Sequence, residues 1–111
     1  MLTILLFLKG RHNYTDRWIR YMKDMPYNVI IADGSLTDYK YSGPFEYIRY
    51  PYDATYTQYY DKVADACSRV KTPYAVQIDN DDFLFIDKLP AYIDFLEANR
   101  DYASCRGAYS N

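Results

Sequence analysis

The sequence predicts an α/β sandwich of three layers, with helices on both faces of a mainly parallel sheet, in a single domain over residues 1–111. Two observations carry this expectation. Short apolar runs of strand length alternate along the chain with stretches whose apolar residues recur at a 3.6 period. The first of these runs is continuous rather than alternating, which is the pattern of a strand covered on both faces. Composition agrees: half the residues are hydrophobic, with only 4 Gly and 5 Pro among 111. That excludes a disordered or low-complexity chain, and a domain of this length buries roughly two thirds of its unfolded surface.

Residues 3–8 form the first apolar run, and Lys9, Gly10, Arg11, His12 and Asn13 make a polar loop after it. Asn13 followed by Asp16 predicts a helix start; Trp18, Ile19, Met22 and Met25 recur at helical spacing, and Pro26 closes the segment. Residues 27–32 are again apolar and β-branched, and the strand stops at Asp33-Gly34-Ser35, whose first two residues are turn formers. After a polar connection, 45–49 reads as a short third strand ended by Pro51. Over 57–70, Tyr60, Val63, Ala64, Cys67 and Val70 share one face, predicting a second helix with that face inward. Thr72-Pro73 breaks it. Residues 74–78 then form a strand ending in Asp79-Asn80-Asp81-Asp82, Asp87 can cap a third helix with Leu89, Ile93 and Leu96 inward, and 102–108 suggests a last strand.

Charge and cysteine content narrow the function classes. Thirteen basic against 15 acidic residues, with no Lys or Arg run, lack the footprint of a nucleic-acid binder. Cys67 and Cys105 have no CxxC spacing, which points to reduced thiols in a cytoplasmic protein. The apolar run after Met1 has no basic leader and is too short for a membrane span, an expectation compatible with peripheral membrane association. The 15 tyrosines suit half-buried surfaces, most of them in packing roles.

In parallel sheets ligands bind at the carboxyl ends of the strands, where the 9–13 loop, Asp33-Gly34-Ser35 and the acidic run all fall. Carboxylates packed as densely as Asp79, Asp81 and Asp82 repel one another unless a cation neutralises them. Oxygen-only ligands select a hard ion, Mn²⁺ or Mg²⁺, with coordination positions left open for phosphates. In an extended chain Asp79 and Asp81 share one side and Asp82 takes the other.

The apolar first strand with its basic loop, the Asp33-Gly34-Ser35 turn, and Tyr74-Ala75-Val76-Gln77-Ile78-Asp79-Asn80-Asp81-Asp82 together resemble the nucleotide-binding half of family 2 glycosyltransferases of the Rossmann-like GT-A fold. The resemblance spans all 111 residues. It implies a nucleotide-diphospho-sugar donor, with Asp33 bonding the nucleobase, Asp79 the ribose, and Asp81 the metal on the diphosphate, Asp82 being the ligand in a shifted register. It places Arg11 along the nucleotide and brings Lys62 near it. The acceptor, a glycan or lipid-linked hydroxyl as in surface-polysaccharide synthesis, needs a general base, for which 1–111 offers no candidate. Ala32 before Asp33, and a first loop without the usual Pro-Thr-x-Asn, depart from the family pattern. Two other expectations stand beside this one. The chain is a non-catalytic nucleotide-sugar-binding module or a truncated remnant, or Asp79 and Asp81 form the nucleophile motif of a haloacid-dehalogenase-like phosphotransferase.

Overall fold

The structure, a computed structural model, describes residues 2–82, 84 and 88–101. The chain runs β1 (Leu2–Leu8), α1 (His12–Met22), β2 (Asn28–Asp33), β3 (Glu46–Arg49), α2 (Tyr56–Ser68), β4 (Tyr74–Asp79) and α3 (Leu89–Ala98). The four strands are all parallel, in the order β3-β2-β1-β4. The predicted α/β class is therefore the observed one. The suggested strand at 102–108 and the Asp87 cap lie outside the described residues.

β1 is buried along its whole length, as its unbroken apolar run predicts. Its alternate side chains feed two cores. Ile4, Leu6 and Leu8 pack with Val29, Ile31, Ile78 and, from α1, Trp18 and Met22. Leu5 and Phe7 pack with Ile30, Ala32 and, from α2, Ala66. The two helices thus cover opposite faces of the sheet and make three layers. α2 starts at a capping box, in which the Thr55 hydroxyl accepts from the Gln58 N–H and Gln58 Oε1 accepts from the Thr55 N–H.

The inward face of α2 agrees with the expected one at Val63 and, just past the helix end, at Val70, which pack on the second core, and differs from it elsewhere. Lys62 and Ala66 are its buried residues, whereas Tyr60, Ala64 and Cys67 are exposed. A count of apolar positions misplaces part of the stripe because a lysine is buried beside Ala66, drawn in by acceptors at the strand ends. Tyr60 instead stacks on Tyr56 along the outer surface. α1 also starts differently: Arg11, not Asn13, is the N-cap residue, in left-handed conformation (φ 56°) directly after Gly10 (φ 82°). Among the described residues no helix is long and apolar enough to cross a membrane.

Strand order places the cleft. The chain steps outward from β1 to β2 to β3, then crosses back through α2 to β4 on the other side of β1. Between the ends of β1 and β4 the direction of winding reverses, and loops leaving those ends part to open a crevice.

Candidate nucleotide and metal site

A cleft of about 310 Å³ opens at this divide, lined by Phe7, Leu8, Lys9, Arg11, Asp53, Tyr59, Lys62, Asp79, Asn80 and Asp81. The acidic run turns as it leaves β4: the Asp82 N–H donates to the Asp79 carbonyl at 3.2 Å. The turn brings Asp79, Asp81 and Asp82 together, each offering an oxygen within 4.8 Å of the others, and all three are exposed. An extended chain would have sent Asp82 to the far side; the turn gathers it with the other two. Partial burial and the neighbouring charges of Asp81 and Asp82 push the Asp79 carboxyl above its usual range, against a lowering by the Lys62 ammonium.

Two polar side chains fix the β1–α1 loop beside that turn. Asn80 is buried, and its amide donates to the carbonyls of Gly10 (3.0 Å) and Arg11 (3.1 Å) and to the Thr15 hydroxyl (3.0 Å). Ser35 Oγ accepts from the Gly10 N–H at 2.6 Å. Successive positive φ angles at Gly10 and Arg11 are what turn the loop back toward β4. Arg11 Nη1 thereby lies 3.1 Å from Asp81 Oδ2.

Lys62 reaches the cleft from α2. Its ammonium donates to Asp53 Oδ2 at 2.5 Å and to the Leu8 carbonyl at 3.1 Å, 5.5 Å from the ring centroids of both Phe7 and Tyr59. Both members of the Lys62–Asp53 pair are buried. Asp53 owes its position to Gly34: the Asp53 N–H donates to the Gly34 carbonyl, and a Cβ on Gly34 would lie 2.4 Å from Asp53 Oδ1.

Asp33 does not line the cleft. It is completely buried; Oδ1 accepts from the Ser35 N–H at 2.9 Å, and Oδ2 accepts from the Tyr39 N–H at 3.1 Å and from the Tyr47 hydroxyl. Burial raises its pKa, but the hydrogen bonds from Ser35, Tyr47 and Tyr39 outweigh that and hold it below the usual range. The Tyr47 phenol is pushed up by its own burial and by Asp33 and Asp38. In this arrangement both Asp33 oxygens serve the turn and the segment after it.

Of the residues singled out from sequence, Arg11, Lys62, Asp79 and Asp81 thus line one cleft, Asp82 joins the acidic group beside it, and Asp33 sits behind. Sequence patterning does not single out Asp53 or Asn80. The Tyr-Pro-Tyr-Asp run gives no periodic signal for Asp53, and Asn80 reads as an ordinary turn residue. The order Asn-Asp after a buried strand end was the signal available, since a buried amide in a tight turn caps neighbouring carbonyls. His12 Nε2 lies 2.8 Å from the Thr37 carbonyl, away from the acidic turn. No family model matches the chain, and comparison with curated proteins finds no match.

Proposed function

We propose that this chain binds the donor of a metal-dependent glycosyltransferase, a nucleoside-diphosphate sugar. The observation that carries this reading is the meeting of three carboxylates with Arg11 and Lys62 at the β1/β4 divide. Oxygen-only donors on a short exposed turn fit Mn²⁺ or Mg²⁺, which Asp81 and Asp82 would hold with Asp79. Such an ion, once bound, offsets the negative charge that develops on a departing diphosphate.

The chain's own residues then divide the work. Arg11, exposed at the mouth, is the guanidinium available to phosphate oxygens. Lys62 carries a fixed positive charge along the cleft wall, and Phe7 and Tyr59 supply apolar surface beside it. Asp33 keeps the Gly34-Ser35 turn in shape, and through Ser35 holds Gly10. The base that deprotonates the acceptor hydroxyl, glycan or lipid-linked, belongs outside the described residues. A dehalogenase-like reading places the nucleophilic Asp on the first, central strand; here the acidic turn follows the fourth strand, at the end of the described sheet.

Calorimetric titration of UDP and GDP with and without Mn²⁺, on wild type and Asp81→Ala, tests the reading. Binding should require the metal and be lost in Asp81→Ala. Equal binding by the two proteins would refute the site.

A further inference from the structure

Donor binding as described gives no role to Asp53. Asp53 lines the cleft with its side chain 1% exposed, yet only Oδ2 is used, by Lys62; Oδ1 is buried and among the described residues has no hydrogen-bond partner. Buried polar atoms without partners are few in native structures, and leaving a charged group unpaired costs more than leaving a neutral one. A carboxylate paired to an ammonium accepts hydrogen bonds and offers none. The complement of Oδ1 is therefore an N–H or O–H donor.

Two further features favour a ligand as that donor. Gly34, lacking a Cβ, leaves room for the carboxylate at the very end of β2, on the cleft side of the strand ends. Asp33, the carboxylate that ends β2, has both oxygens taken from within the chain and does not line the cleft. We propose that Asp53, rather than Asp33, accepts a hydrogen bond from the nucleoside part of the ligand, and so selects among nucleoside diphosphates. The inference rests on the reading of the cleft as a nucleoside-diphosphate site. A nucleoside presenting an imide N–H or a ribose hydroxyl to Oδ1 is accepted; one presenting an acceptor there leaves two lone pairs opposed and is rejected. Lys62 is the positioning residue, holding Asp53 through Oδ2 so that Oδ1 is the oxygen left over.

The test is calorimetry at saturating Mn²⁺ with UDP and GDP, and with analogues of the preferred one that are methylated at the base imide nitrogen or lack the 2′- or 3′-hydroxyl. In Asp53→Asn the amide oxygen stays with the Lys62 ammonium, which turns the NH₂ toward the ligand's donor. Affinity for the preferred nucleotide should fall roughly tenfold to a hundredfold. One analogue should lose a similar factor on wild type and nothing further on the variant, and which analogue does so tells base from ribose. Mn²⁺ binding alone, which uses the acidic turn, should be unchanged. Binding by Asp53→Asn within twofold of wild type, with the same preference, overturns the role of Asp53 while leaving donor binding intact. Failure of wild type to bind any nucleoside diphosphate overturns both. If Asp53→Asn fails to fold by circular dichroism, the wild-type analogue series decides: equal affinities for all analogues overturn the proposal.

Discussion

Replacing Lys62 by Met tests the centre of the structure most directly. Methionine keeps a long apolar stem beside Phe7 and Tyr59 but removes the charge that Asp53 faces at 2.5 Å and the donor to the Leu8 carbonyl at 3.1 Å. Because both partners are buried, with side-chain exposures of 2% and 1%, water cannot take over for the lost ammonium. Removing one member of a buried pair costs about 3–5 kcal/mol, since the other charge is left uncompensated. At this chain length each kcal/mol is worth roughly 4 °C or more, so the melting temperature should drop by at least about 12 °C. Urea and thermal denaturation of Lys62→Met, Asp53→Leu and the double variant measure the two quantities. Each single change should be severe, and the double should recover most of the loss, because two apolar groups of similar size do not leave a buried charge behind. Single variants within about 1 kcal/mol of wild type, or a double variant as unstable as the two losses combined, would refute the buried pair.

Two further outcomes follow from the same geometry. Gly34→Ala places a methyl 2.4 Å from an Asp53 oxygen that Lys62 holds in place, so it should cost about 1–3 kcal/mol in urea denaturation, and the penalty should vanish in an Asp53→Ala background. Asp79→Asn should stabilise the metal-free protein at pH 7. Desolvation and repulsion from Asp81 and Asp82 raise the pKa of Asp79 in the folded state, so its favourable contribution is present below the unfolded value and is lost as pH rises through the folded one. The difference from wild type should therefore shrink as pH is lowered to about 4, near the unfolded carboxyl value; a variant less stable than wild type at pH 7 would count against the repulsion.

Elements whose local chemistry and tertiary role agree were readable in the sequence. The unbroken run of β1 announced a central strand, and Trp18 and Met22 announced the buried face of α1, because apolar periodicity and burial coincide there. α2 misleads for the opposite reason. Its deepest polar residue is an ammonium held by a carboxylate nine residues earlier and a carbonyl 54 residues earlier, and no helical period encodes partners at those distances. Asp79 and Asp81 stand out because like charges clustered after an apolar strand are locally costly. Asp33 stands out equally, yet its bonds to Tyr39 and Tyr47 are tertiary, and they decide that it faces inward. Asp53 was illegible because a lone aspartate after Pro51 and Tyr52 looks like any turn residue until Gly34 is placed against it.

The placement of Asn80 between the acidic residues explains how Arg11 is held close to a metal-type site without being locked to it. The Arg11–Asp81 contact joins side chains 63% and 42% exposed, and an ion pair that open to water contributes about 0–1 kcal/mol. It cannot be what fixes the loop. The buried amide of Asn80 does that, through the backbone carbonyls of Gly10 and Arg11, while Ser35 takes the Gly10 N–H. The guanidinium is thus free to exchange one anionic partner for another with the loop unmoved. On the proposed reading, an incoming phosphate would displace the weak contact with Asp81 and so return that carboxylate's oxygens to a cation. Backbone order from a buried amide, and side-chain exchange at an exposed pair, fall on the consecutive residues Asn80 and Asp81.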